Sequence, residues 1–340
     1  MSVVPDFRPS TARLAVDHVP VASLAQELDR PDTLAIFGFG DTAPTRGRVS
    51  DPRYLHIPLQ PLHGTACLEV WRSAGAVSSG VTDDGIRWAS DGELQFGVLE
   101  MEEPEGGILL AGELVYRRLT DFWQASDFPH LLRIWNYLDA IILGEGDHER
   151  YRQFCVGRVR GLGPFDTGTL PAATAVGSRD GRRVLQVSWL SARVAGTPLE
   201  NPRQVSAYRY PREYGPQSPS FARALLPTSA PALPLFLSGT AAIVGHASQH
   251  ADSLKAQLDE TLTNLDSLIG AARVLRPQLP AHLDVSARLK VYVRDAEDAE
   301  DVAAQLAARL GGGVPYLMLL GDVCRRELRV EIEGMHGLVA

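Results

Sequence analysis

The stretch "PLFLSGTAAIVGHASQHADSLKAQLDETLTNLDSLIGAARV", residues 234–274, decides the fold class. Its first part, Pro234 to Gly245, is a short apolar run closed by glycine, the signature of a strand. The remainder carries Leu254, Leu258, Leu262, Leu265 and Ile269 at spacings of three and four, one apolar stripe of a long helix. Working toward the C-terminus, "LDVSARLKVYVRD" (283–295) reads as a strand and "DAEDVAAQLAARLGG" (298–312) as a helix. "VPYLMLLGDVCRRELRVEIEGM" (314–335) then holds further strands. Strands alternating with helices in this way predict an α+β unit, a mixed sheet with helices packed on one face.

Upstream, residues 201–233 carry Pro202, Pro211, Pro216, Pro219, Pro227 and Pro231, which forbid long regular elements and mark a structured connection. The domain boundary is therefore placed between residues 228 and 229, giving domains 1–228 and 229–340. In the first, "TLAIFGFG" (33–40), "ACLEVWRS" (66–73), "ELQFGVLEM" (93–101), "GELVYRRL" (112–119) and "RVLQVSWLSA" (183–192) read as strands. Residues 128–144, with Leu131, Ile134, Trp135, Leu138 and Ile142 at helical spacing, read as a helix, as do residues 149–162 despite Gly157. No solenoid repeat and no low-complexity tract is found.

Length and composition narrow the function. A chain of 340 residues, 45% hydrophobic and 22% charged, has ample core for two domains. No apolar stretch reaches the roughly 20 residues that span a bilayer. Residues 1–30 lack the layout of a signal peptide, so a cytoplasmic location is expected. A net charge of -8 argues against a nucleic-acid partner. Cys67, Cys155 and Cys324 are widely spaced and odd in number, and read as free thiols. The spacing motifs of nucleotide binding and zinc hydrolysis are absent, and the pair His246 and His250 lacks a nearby third ligand, so neither metal nor cofactor is expected.

The strand "LRVEIEG" alternates, with Arg329, Glu331 and Glu333 on the face opposite Leu328, Val330 and Ile332. The plainer reading is an edge strand with a solvated polar face. The functional one is a carboxyl in a cleft acting as a proton donor.

These residues carry a resemblance. "FLSGTAAIVGH", the long helix and "GDVCRRELRVEIEGM" resemble the YjgF/RidA superfamily. "TLAIFGFG", "ERYRQFCVGR", "SAYRYPREYGPQSPSFARA" and "CRRELRVEIEG", in that order, resemble the chorismatase family. The resemblance implies two YjgF/RidA-like domains and cleavage of chorismate, with Glu331 as general acid. It also implies substrate binding by Tyr151 and Arg158, seven apart, by Tyr210 and Arg223, thirteen apart, and by Arg325. Cys324, seven residues before Glu331, matches the branch that aromatises the ring to 3-hydroxybenzoate, some of whose members also give 4-hydroxybenzoate. The alternatives are a branch that adds water to give a dihydroxycyclohexadienoate, and an imine-hydrolysing or binding protein of the RidA kind. Either a trimer or a monomer fits.

The residue chemistry agrees, since chorismate has two carboxylates and arginine grips a carboxylate with two parallel hydrogen bonds. If residues 147–160 are helical, Tyr151 and Arg158 share one face. One question is left open by the sequence: burial raises a carboxyl pKa while neighbouring arginines lower it, and the two oppose each other at Glu331.

Overall fold

The computed structural model describes residues 13–64 and 67–338. Three sheets organise the chain. The first contains β1 (Leu14–Pro20), β2 (Thr33–Phe39), β3 (Tyr54–Ile57) and β4 (Cys67–Ser73), with α1 (Leu24–Leu28) after β1. Its order is β1-β4-β2-β3, with β2 and β3 parallel. The second contains β5 (Ser78–Val81), β6 (Arg87–Ser90), β7 (Leu94–Glu102), α2 (Gly107–Gln124), β8 (His130–Asp139), α3 (Arg150–Leu162), β9 (Ala172–Ser178) and β10 (Val184–Ala192). The third contains β11 (Thr197–Leu199), β12 (Ala224–Leu226), β13 (Leu235–Thr240), α4 (Leu254–Leu275), β16 (Arg288–Val293), α5 (Ala299–Leu310), β17 (Tyr316–Leu320) and β18 (Val330–His336). A small ribbon, β14 (Ile243–Val244) and β15 (Ala247–Ser248), stands apart.

The two six-stranded sheets share one plan. Their orders, β5-β6-β7-β10-β8-β9 and β11-β12-β13-β18-β16-β17, match position for position. Each ends in a parallel edge pair, β8 with β9 and β16 with β17. The four-stranded sheet repeats the last four positions of that plan, with its own parallel pair. All three turn an inner face to one core, in which Phe37, Trp71, Phe96, Trp135, Tyr137, Phe236, Tyr292 and Met335 meet. There Trp71 packs edge-on against Trp135 at 5.3 Å and Phe37 against Trp135 at 5.7 Å. The outer faces are covered by α2 and α3 on the second sheet and by α4 and α5 on the third. This is the expected α+β architecture of mixed sheets with helices on one face. β11 and β12, which precede residue 228, hydrogen-bond into the third sheet.

Two sequence-based elements are corrected. Residues 128–144 are not a helix: His130–Asp139 is the strand β8. Leu131, Ile134 and Leu138 pack under the helices while Leu132, Trp135 and Tyr137 enter the shared core. A strand buried on both faces shows no alternation, and its apolar spacing then imitates a helix. Residues 112–119 are not a strand but the middle of α2. Ile108, Ala111, Val115 and Leu119 supply the helical stripe, which a window of eight residues truncates. The helix at 149–162 is present as α3, and Gly157 has a packing reason: a Cβ there would stand 2.0 Å from the Leu109 carbonyl oxygen on α2. The close α2–α3 contact fixes the face that α3 turns inward.

The polar face of the last strand is not solvated. Glu331 is 5% exposed and Glu333 fully buried, because that face looks into the junction with the second sheet. At this junction the edge strand β9 meets the third sheet through paired backbone bonds, Gly177 N to Asp322 O and Asp322 N to Gly177 O, both 2.9 Å. A further bridge joins Ala172 to Ala222.

Candidate active site

The junction of the second and third sheets encloses a cavity of about 430 Å³. α3 contributes Tyr151, Phe154 and Arg158, and β9 contributes Thr174. The proline-rich connection contributes Tyr210, Tyr214 and Arg223, the end of β13 contributes Gly239, and the segment before β18 contributes Cys324 and Arg325. Glu331 on β18 forms part of the floor. The structure thus brings together all seven residues selected from the sequence: Glu331, Cys324, Tyr151, Arg158, Tyr210, Arg223 and Arg325.

Of the carboxyls that line the cavity, Glu331 is the buried one. No described residue hydrogen-bonds its carboxyl. Burial pushes it up to about 7, against the opposing charges of Arg133 and Arg223. Desolvation therefore outweighs the arginines, and the group is half protonated near neutrality. The space over it exists because residue 239 is glycine: a Cβ there would sit 2.3 Å from Glu331 Oε1. β13 slips register between Leu237 and Thr240, and Gly239 N donates to Thr174 Oγ1 at 2.9 Å. Ser238 beside it donates to the Ala222 carbonyl at 2.6 Å and accepts from Ala173 N at 2.9 Å, which ties the slip to the sheet junction.

Three arginines surround this acid with unfilled donors. Arg158, 4% exposed, stacks over Tyr116 at 5.0 Å, and its Nε and Nη2 are buried without a partner. Arg223, also 4% exposed, donates to Val205 O at 2.8 Å and to the Tyr210 hydroxyl at 2.6 Å, and its Nε is unpaired. Arg325 donates to His246 O at 2.8 Å and Ser248 Oγ at 3.0 Å, which leaves Nη2 unpaired. Its guanidinium is held 3.9 Å from the Tyr214 ring centroid and 5.1 Å from that of Tyr210. Buried donors are nearly always satisfied, so these unpaired guanidinium nitrogens leave the cavity with donors suited to anionic oxygens.

Tyr151 and Arg158 lie on one face of α3 as their spacing predicts, with Tyr151 stacked on Phe154 at 6.5 Å. Burial holds the Tyr151 hydroxyl well above its ordinary range, so it serves as a neutral donor. Cys324 lines the cavity, and burial together with the neighbouring Glu331 pushes its thiol up to about 12. It is a thiol here, not a thiolate. The histidine pair is split between partners: His246 Nδ1 lies 3.2 Å from the Tyr214 hydroxyl, and His250 lies 3.3 Å from Glu260.

Sequence reasoning missed Thr174, Gly239 and Tyr214. A threonine in an alanine-rich strand gives no signal. Gly239 and its neighbours stood out only as small residues in an apolar run.

Comparison with known proteins agrees with this geometry. Residues 69–191 match the family model described as chorismatase FkbO/Hyg5-like, N-terminal. A chorismatase from Streptomyces rapamycinicus is 39% identical over 277 residues, covering 78% of this chain and 81% of that protein. The chain belongs to the chorismatase family. A 3-hydroxybenzoate synthase from Streptomyces hygroscopicus is 34% identical over 277 residues, covering 78% of this chain and 80% of that one. A solved chorismatase crystal structure has a TM-score of 0.82 at 31% identity, covering 96% of this chain and 99% of the other. Among the described residues no helix is long and apolar enough to cross a membrane.

Proposed function

We propose that this chorismatase cleaves the enolpyruvyl ether of chorismate to give pyruvate and 3-hydroxybenzoate. The observation that carries the reading is one buried carboxylic acid ringed by three arginines with unpaired nitrogens. A substrate with two carboxylates answers the arginines, and an enol ether answers the acid. Arg158 with Tyr151 grips one carboxylate, and Arg223 and Arg325, set around Tyr210, grip the other.

Glu331 delivers its proton to the enol ether methylene, which becomes a methyl group and leaves an oxocarbenium ion at the ether carbon. The neighbouring C4 hydroxyl then displaces pyruvate from C3 and returns its proton to the Glu331 carboxylate, and the resulting arene oxide opens at C4, with a hydrogen shift from C3 to C4 and enolisation, to give 3-hydroxybenzoate. Burial of Glu331 at the floor of the cavity limits the access of water to the oxocarbenium ion. Substrate and the two products balance without added water, whereas the diol branch consumes one. Cys324, a neutral thiol on the cavity wall, supports the aromatising branch, as does the likeness to a protein named 3-hydroxybenzoate synthase.

We read the chain as two complete sheet-and-helix units, the second beginning at β11 so that its sheet is counted whole, with the first sheet an incomplete third unit. Three sheets of one chain close around the core, which supports a monomer whose site is complete without a second copy. A cytoplasmic location fits a substrate of this kind.

The test is incubation of purified protein with chorismate and no added metal or nucleotide, following pyruvate and separating ring products by chromatography. Pyruvate with 3-hydroxybenzoate, lost in Glu331→Gln, supports the reading. Pyruvate with a non-aromatic diol keeps the cleavage and overturns the product. No pyruvate overturns the activity.

A further inference from the structure

Behind the cavity floor lies a buried ionic network that reaches the cavity through Thr174. Arg133 of β8, 1% exposed, is ion-paired through Nη2 to Glu333 Oε2 and donates to Thr174 Oγ1. Thr174 in turn donates to the same Glu333 oxygen. Glu333 Oε1 accepts from the Tyr292 hydroxyl at 2.7 Å and lies 3.4 Å from Lys290 Nζ. Lys290 also sits 2.9 Å from Glu69 Oε1, and Glu69 accepts from Trp71 Nε1 at 2.8 Å. The buried charges are two cations, Arg133 and Lys290, and two anions, Glu333 and Glu69. They neutralise one another. Glu331, two residues from Glu333 on the same face of β18, is a further buried carboxyl beside them and makes no ion pair among the described residues.

We propose that Glu333 is a positioning residue for the acid step: by engaging the Arg133 guanidinium it withholds a buried cation from Glu331, which therefore keeps its proton. An uncompensated charge in a low-dielectric interior acts strongly on its neighbours, and Arg133 already acts on Glu331. Removing the Glu333 charge turns Arg133 toward the remaining carboxyl and favours the carboxylate, which cannot protonate an enol ether. Other charged or titratable groups that share the cavity with Glu331 are Arg223 beside β12, Tyr210 in the proline-rich connection, Cys324 and Arg325 before β18, and Tyr151, Cys155 and Arg158 on α3, while Tyr292 lies opposite it on β16. Those facing the network are His18 on β1, 3.8 Å from Glu69, and the tyrosine pair Tyr137 and Tyr292, whose hydroxyls are 3.5 Å apart. None of them replaces Glu333 as partner of Arg133.

The inference rests on Glu331 being the acid, and one readout is independent of any substrate. Infrared difference titration of the substrate-free enzyme follows the carboxylic C=O band that is lost in Glu331→Gln. The expected result in Glu333→Gln is that this band titrates at least one pH unit lower than in the wild type. With it, the alkaline limb of kcat/KM for chorismate moves down equally, a tenfold or larger loss at pH 8. Glu333→Asp, which keeps the charge, retains the wild-type limb. Arg133→Gln with Glu333→Gln, which removes both charges, returns the titration to the wild-type position or above, a rescue that a packing role for Glu333 does not give. An unshifted band in folded Glu333→Gln overturns the proposal, as does a double variant no different from the single one. If Glu333→Gln does not fold, a limb displaced in Glu333→Asp overturns it equally. A shifted band without turnover of chorismate leaves the positioning role standing and counts against the activity instead.

Discussion

Replacing Glu331 by glutamine stabilises this protein at alkaline pH while abolishing its acid chemistry. The folded-state carboxyl titrates near 7, against 4.5 for the free group. Its pKa is raised on folding, so its contribution to stability is complete below the unfolded value and is lost as pH rises toward the folded one. Across that 2.5-unit window the loss reaches about 3 kcal/mol, at 1.36 kcal/mol per unit. Most of it falls between pH 5 and 8, where it amounts to about 2–3 kcal/mol. Glutamine titrates nowhere, so the stability difference between Glu331→Gln and wild type grows by that amount across the same range. With an unfolding entropy of roughly 2 cal/mol/K per residue, this is an increase of about 3–4 °C in the difference between the two melting temperatures. Parallel melts at half-unit pH steps measure it, and all other titrating groups cancel in the difference. A difference that stays flat from pH 5 to 8 refutes the argument, because Glu331 would then ionise in the folded protein as it does in water.

Other consequences follow from the same geometry. The alkaline limb of kcat/KM for chorismate falls tenfold per pH unit above about 7, as the acid form is lost, and a pyruvate-coupled assay records it. Arg158→Lys and Arg223→Lys keep the charge but lose the planar pair of donors, so each raises KM roughly tenfold or more with a smaller change in kcat. Gly239→Ala places a methyl against Glu331 Oε1 and lowers kcat about a hundredfold or more with little change in melting temperature, measured by initial rates beside thermal melts. Cys324→Ala retains pyruvate release and changes the ratio of ring products in the chromatogram. In the wild type the Cys324 thiol alkylates at pH 8 far more slowly than a free cysteine, because its pKa is near 12.

The C-terminal half was legible because its helices are amphipathic and its strands are bounded by glycine and proline. The middle was not, and β8 shows why. Arg133 and Asn136 sit inside that strand fully buried, Arg133 on Glu333 and Asn136 on the Tyr116 hydroxyl, so polar residues there carry no information about solvent. The likeness between the sheets was equally invisible, since it resides in strand order and register and not in residue type. For the site, Tyr151, Arg158, Tyr210, Arg223, Cys324 and Glu331 were found through family spacing. Their convergence needed the fold, because α3, the proline-rich connection and β18 approach one another only across a sheet junction.

The repeated plan also explains why the acid occurs once. Glu333, Ser188 and Glu69 occupy equivalent places, opposite Lys290, Trp135 and Phe37 respectively. The Lys290 ammonium lies over the Trp135 and Phe37 rings at 5.3 and 4.9 Å, so the three places converge at one level of the core. Two residues earlier on each strand stand Glu331, Gln186 and Cys67. Gln186 cannot release a proton at neutral pH, and its amide is committed to His56 O at 2.9 Å and Glu100 Oε1 at 2.5 Å. Cys67 is a thiol pushed up to about 11 by burial and Glu69. Of these three positions only that of Glu331 carries a carboxyl, and that position is flanked by the inward face of α3, for which the first sheet has no counterpart between β2 and β3. The pocket at the Gln186 position holds Arg46, Arg182 and Tyr137 beside Glu100, so it has arginines but an amide in the place of Glu331. The reactive site is therefore specified by the coincidence of acid and arginines, which the architecture permits at each position and the residues complete at one.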